Sequence, residues 1–90
     1  MKKSKQQQKE EDLKKLGNRI RELRIQKGYS NYEYFAFENE IGRSQYGKYE
    51  KGEDMRYTNL LRVMRALGVT PNEFFTDEFA KDFFPEEKKK

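Results

Sequence analysis

The sequence predicts an all-α fold of five short helices around one thin core. Three observations predict it. Apolar residues recur at three- and four-residue spacings in successive blocks, as on helices with one buried face. Glycine, asparagine or proline separates the blocks at short intervals, leaving room only for tight loops. No block alternates apolar and polar residues in the manner of a strand. The chain has 90 residues, 33% hydrophobic and 40% charged, which suits one small domain with a wet surface.

Residues 1–10, MKKSKQQQKE, hold no apolar residue after Met1 and are expected to form a disordered basic arm. Three roles stay open for this arm: following DNA phosphates, keeping the chain soluble, or extending the first helix. Leu13, Leu16, Ile20 and Leu23 then mark an amphipathic helix over about 11–26. Glu11 and Asp12 in its first turn, with Arg24 and Lys27 near its end, suit the helix dipole, and Gly28 stops it. Asn31 or Ser30 caps a short second helix from about Tyr32 to Asn39, with Phe35 and Ala36 inward. Glu40-Ile41-Gly42 reads as a tight turn with Ile41 in the core.

The third helix runs from Arg43 to Glu50. Tyr46 and Tyr49, three apart, share its inner face. Gly47 costs that helix about 1 kcal/mol relative to alanine, so its backbone should come close to something there, either another helix or DNA itself. Tyr57, Leu60, Leu61, Met64 and Leu67 form the strongest stripe, with Tyr57 expected to anchor the fourth helix. Thr70, Pro71 and Glu73 form a capped start for a short fifth helix carrying Phe74 and Phe75. Phe79, Phe83 and Phe84 in the tail are too apolar to stay wet. They either return to the core as a short sixth element or form a dimer contact.

Composition excludes several functions. The chain has no cysteine and no histidine, so disulfides, thiol chemistry and the usual zinc sites are out. No glycine-rich phosphate loop follows a strand, and no acids pair convincingly for catalysis, so an enzyme, a cofactor or a bound metal is not expected. No stretch is long and apolar enough to cross a membrane, and the basic start lacks the apolar run of a signal peptide. A cytoplasmic, nucleoid-associated protein is the expectation. The net charge of +4 is modest, but its placement is uneven. Residues 41–52 carry Arg43, Lys48 and Lys51 against Glu50 alone, whereas 71–87 is acidic.

The span from Leu16 to Phe75 resembles the Cro/C1-type, or XRE, helix-turn-helix family. The likeness is carried by Leu16-Gly17-Asn18-Arg19-Ile20-Arg21-Glu22-Leu23-Arg24, Phe35-Ala36 and Ile41. It continues through Arg43-Ser44-Gln45-Tyr46-Gly47-Lys48-Tyr49-Glu50-Lys51-Gly52, then from Leu60 to Thr70, then Glu73-Phe74-Phe75. The resemblance implies a compact five-helix lambda-repressor-like domain over 11–76, followed by the aromatic tail 77–90 with a frayed end. It implies that the third helix enters the major groove. Arg43, Ser44, Gly47 and Lys48 match positions facing base edges or nearby backbone, and Gln45 reaches a base if the helix is slightly rotated. Tyr32 matches a residue that touches phosphate, and Lys51 and Arg56 are further backbone candidates. Glu50 matches an acid serving the fold, paired with Arg19 or Arg24.

This sequence departs from the family pattern in four ways. The loop 27–31 is one residue longer, and Gly42 replaces a side-chain cap. Gly47 replaces a longer residue, and Tyr46 and Tyr49 replace aliphatic ones. The function implied is sequence-specific binding of double-stranded DNA by a homodimer, with repression by promoter blocking. The competing reading is a protein-interaction module, such as an antitoxin or transcriptional adaptor, with its partner on the C-terminal tail.

Overall fold

Six helices follow one another in the computed structural model, which describes residues 3–81 and 83–84, and no strand occurs among them. The helices are α1 (Lys5–Gln26), α2 (Tyr32–Glu38), α3 (Arg43–Glu50), α4 (Tyr57–Leu67), α5 (Pro71–Phe74) and α6 (Asp77–Ala80). The all-α lambda-repressor-like architecture expected from the sequence is present, with one short helix more than the five anticipated.

The first correction concerns the start. Residues 5–10, expected as a disordered basic arm, are the first turns of α1. Ser4 and Gln7 cap them reciprocally in a capping box. Gln6 donates to Glu10 and Gln8 to Asp12, both at 3.0 Å and both spaced i,i+4. Lys, Gln and Glu are good helix formers, and a helix held by propensity and capping leaves no apolar rhythm to read.

The core comprises Ile20 from α1, Phe35 and Ala36 from α2, Ile41 from the turn, and Tyr46 and Tyr49 from α3. Leu60, Val63, Met64 and Leu67 of α4 join them, with Phe74 and Phe79. It is unusually aromatic, and the rings meet at tilted or edge-on angles, as their quadrupoles favour. Tyr29, Phe35 and Tyr46 form a chain of contacts with centroid separations of 5.0 and 5.3 Å. Tyr57 is not part of it. Its side chain is 70% exposed, so α4 is anchored by Leu60 and Val63, one turn further on.

The described part of the tail returns to its own chain except at Phe84, which stays 60% exposed; the end expected to fray lies outside the described residues. Phe79 of α6 is buried and meets Phe74 and Phe83 edge-on, at 6.0 and 5.0 Å. Arg19 of α1 fastens this end. Its guanidinium lies 5.9 Å from the Phe74 ring centroid and 5.5 Å from that of Phe79. It also donates to the carbonyls of Phe74 and Glu73, each at 2.9 Å. A four-residue helix leaves its last carbonyls without partners of its own, and Arg19 supplies donors for two of them.

Candidate nucleic-acid interface

The helix-turn-helix is built from α2, the four-residue turn 39–42 and α3. Asn31 starts α2, its Oδ1 accepting from the backbone N–H of Glu33 at 2.8 Å and of Tyr34 at 3.0 Å. The chain leaves α2 through Glu40, which adopts φ 59°, a left-handed conformation that disfavours a side chain by about 1–2 kcal/mol. Two contacts hold this turn. The Ile41 N–H donates to the Ala36 carbonyl at 2.9 Å, and Arg62 of α4 donates to the Glu40 carbonyl at 2.7 Å. Gly42 precedes α3 without a side-chain cap, as its lack of a hydroxyl or carboxylate requires.

The inner face of α3 is fixed by a buried polar network. Arg24 of α1 donates from Nε and Nη2 to the two oxygens of Glu50, at 2.8 and 3.1 Å. Its remaining nitrogen donates to the Tyr29 carbonyl at 2.6 Å. Tyr46 donates its hydroxyl to Glu50 at 2.5 Å. Both charged side chains are almost sealed from solvent, at 4% and 8% exposure. A bidentate, fully partnered pair is the geometry in which a buried ion pair is tolerated. The hydrogen bond to Glu50 raises the Arg24 pKa above its already high value. Burial first, and the bond to Glu50 second, push the Tyr46 hydroxyl far above the usual tyrosine range. Of the two arginines expected as partners for Glu50, Arg24 takes the role and Arg19 serves α5.

Gly17 brings α1 against the end of α3. A Cβ there would lie 2.6 Å from the Glu50 carbonyl oxygen and 2.7 Å from that of Tyr49. Only glycine lets the two backbones meet so closely. Gly17, Arg62 and the burial of Arg24 were not singled out from the sequence. For Gly17 a signal existed, since a glycine inside a helix is costly and implies a close approach. No pattern of apolar residues points to Arg62.

The outer face differs in kind. Arg43, Ser44, Gln45, Lys48 and Lys51 are all exposed, as is Arg56 ahead of α4. Among the described residues, the side chains of Arg43, Lys48, Lys51 and Arg56 make no ion pair or hydrogen bond within the chain. The one acid of α3, Glu50, is neutralised internally by Arg24. The helix therefore presents only cationic charge outward. Tyr32, Glu33, Gly42, Arg43, Ser44 and Gln45 border a shallow open depression at the mouth between α2 and α3. Gly47 is the one expected base-facing residue placed elsewhere. It is buried, and the neighbour that approaches it is the ring of Tyr32.

Among the described residues, no group of three or more acids, histidines or cysteines could hold a metal ion. None of their helices is long and apolar enough to cross a membrane.

Residues 20–74 match the family described as Helix-turn-helix. The chain is 32% identical over 68 residues to control protein C.MunI from a Mycoplasma species, covering 73% of this chain and 92% of that protein. It superposes on the crystal structure of the restriction-modification controller protein C.AhdI from Aeromonas hydrophila with a TM-score of 0.64. There the identity is 39%, over 72% of this chain and 98% of the other. With the motif, its cationic outer face and these likenesses in hand, the chain belongs to the helix-turn-helix family, alongside the control proteins, and is a sequence-specific DNA-binding regulator.

Proposed function

We propose that the protein acts as a homodimer on a two-fold symmetric operator and controls transcription of a restriction-modification locus. The observation that carries this reading is the unpaired cationic face of α3, exposed beside a rigidly held inner face. A helix of this size fits the major groove, where Arg43 can donate two hydrogen bonds to guanine. Ser44, Gln45 and Lys48 reach neighbouring base edges or phosphates. Tyr32, Lys51 and Arg56 contact the backbone and set the register. One motif reads only a few base pairs. Two copies about one helical turn apart supply the rest of the specificity.

The restriction-modification role rests on the likeness to the restriction-modification controller protein C.AhdI from Aeromonas hydrophila. An operator overlapping a promoter makes the bound dimer a repressor, working in the cytoplasm at the nucleoid. A second copy has apolar surface to cover, since Leu13, Leu16, Leu60, Phe75, Phe83 and Phe84 line one groove. A partner protein on the C-terminal tail is the second reading, favoured by Phe84 at 60% exposure.

The test is selection of bound sites from a random duplex pool at fixed, stated salt. Enrichment of a symmetric site, with altered preference for Arg43→Ala, supports the proposal. Retention without enrichment, collapsing as salt rises, would reduce it to backbone attraction. No retention at all would favour the protein-interaction reading.

A further inference from the structure

We infer that Gly47 is a positioning residue for DNA binding, because its missing side chain creates the seat that holds Tyr32 across α3. The inference rests on the proposed contact of Tyr32 with the DNA backbone. It adds that this contact depends on a residue which itself touches no DNA.

The geometry is specific. A Cβ at Gly47 would lie 2.7 Å from Cε1 of Tyr32, 3.1 Å from Cζ and 3.1 Å from Oη. One side of the ring tip, from Cε1 to the hydroxyl, therefore lies against the backbone of α3. Its other neighbour is Tyr46, with centroids 6.3 Å apart, and Tyr46 is itself immobilised by Phe35 and Glu50. Tyr32 is thus wedged between α2 and α3, and its rotamer is set by both.

The hydroxyl of this tyrosine is in an unusual position. Tyr29, Tyr34 and Tyr46 each donate to a carboxylate of the chain. Tyr32 donates to nothing among the described residues, yet its oxygen is not a buried polar atom left without a partner. It therefore opens to solvent, at the depression it shares with Arg43, Ser44 and Gln45. A wedged ring with a free, solvent-facing donor beside an unpaired arginine is preorganised for a phosphate oxygen. No side-chain entropy is lost when it binds.

Alanine at position 47 would displace the ring, since its Cβ would lie 2.7 Å from Cε1 and the tip of Tyr32 has to swing off the face of α3. Alanine is also the better helix former, so the change removes a glycine from the helix while spoiling the seat. Stability and DNA binding should then respond separately.

The experiment measures affinity of the full chain for its selected duplex and for a duplex with one altered base pair, across a salt series. The variants are Tyr32→Phe, Tyr32→Ser, Gly47→Ala and the double variant Tyr32→Ser/Gly47→Ala. Thermal melting is recorded for each. Tyr32→Phe keeps the ring and should lose about tenfold in affinity per monomer, the worth of one charge-assisted hydrogen bond, with unchanged melting. Gly47→Ala should lose a similar factor. Both should leave the preference between the two duplexes intact. Both should leave the salt slope intact too, because a neutral hydroxyl displaces no counterion. With the ring gone, adding Gly47→Ala to Tyr32→Ser should cost no further affinity.

Wild-type affinity for Tyr32→Phe would overturn the inference and leave Tyr32 a packing wedge only. An equal loss from Gly47→Ala with and without the ring would also overturn it, since the glycine would then act through something other than Tyr32. If the unaltered protein selects no site at all, the failure belongs to the proposed function instead.

Discussion

The two faces of α3 are eight residues of the same helix governed by opposite rules. Inward, the charge of Glu50 is matched by Arg24 and Tyr46, and the backbone of the last turn lies against Gly17 of α1. Outward, Arg43, Ser44, Gln45 and Lys48 are exposed, and the arginine and lysine have no partner within the described chain. A group satisfied inside the protein has nothing to offer a ligand, and an unpaired one on a held scaffold does. The contrast teaches that the inner face determines where the outer one points, so damage to either reaches DNA binding by different routes.

The largest effect should come from breaking the inner network. Arg24→Ala leaves the Glu50 carboxylate buried beside Tyr46 alone and should cost about 3–5 kcal/mol, a large share of a small domain's stability. Chemical denaturation would show it as a lowered midpoint, and DNA binding should vanish with folding. An unfolding free energy within about 1 kcal/mol of wild type would mean that water enters and relieves Glu50. Gly17→Ala comes next. Its new Cβ must push apart the backbones of α1 and α3, costing about 1–3 kcal/mol despite alanine's better helix propensity.

The outer face sharpens the comparison because folding should ignore it. Arg43→Ala should leave the melting temperature unchanged, yet weaken discrimination at one base pair by about 1–3 kcal/mol, read from competition between matched and altered duplexes. A lowered melting temperature would place Arg43 in the fold and not at the groove. Lys48→Ala should act more evenly, weakening all duplexes and lowering the slope of log affinity against log salt by about 1 per monomer.

The smallest effect is alkaline. An unfolded tyrosine loses its proton near pH 10, whereas buried Tyr46 keeps it. The folded state then holds the proton that the unfolded state releases. Stability from this group is therefore complete below pH 10 and declines as the pH rises above it. Tyr46→Phe removes that dependence and costs about 1 kcal/mol at neutral pH for the lost bond to Glu50. Denaturation midpoints for the two proteins should converge as the pH is raised. Parallel curves would show that the lysines or the other tyrosines govern the alkaline loss.

Much of this was legible in the sequence, and the reasons differ by region. The bounds of α3 and α4 follow from apolar rhythm and flanking glycines, because tertiary burial there imposes a period. The tight turn at Glu40-Ile41-Gly42 was legible from Ile41 and Gly42, but the left-handed conformation falls on Glu40, a residue that gives no hint of it. The first turns of α1 were legible only as one of three options, since capping and side-chain pairs on a polar helix resemble the composition of a disordered arm. The outer residues of α3 were placed correctly on the surface by elimination, once Tyr46 and Tyr49 took the inner face. At Gly47 the sequence leaves the neighbour open, because a missing side chain reads alike whether DNA or a tyrosine ring fills the gap. Tyr57 was misassigned because an apolar stripe overruns the end of a helix as easily as it stops short of one.

The contact at Gly17 has a consequence for how the duplex is treated. Two helices that touch backbone to backbone cannot slide or tilt against each other without a clash, so the reading helix has almost no play relative to the rest of the domain. If two copies bind together as proposed, any change in the separation or angle of their reading helices has to come from the contact between the copies and not from play inside either one. Any mismatch with straight B-form DNA has to be absorbed by bending or overwinding the duplex, at a cost set by the stiffness of its base steps. The base pairs between the two half-sites, which no side chain reaches, then carry sequence preference of their own, with flexible steps favoured where the axis must bend.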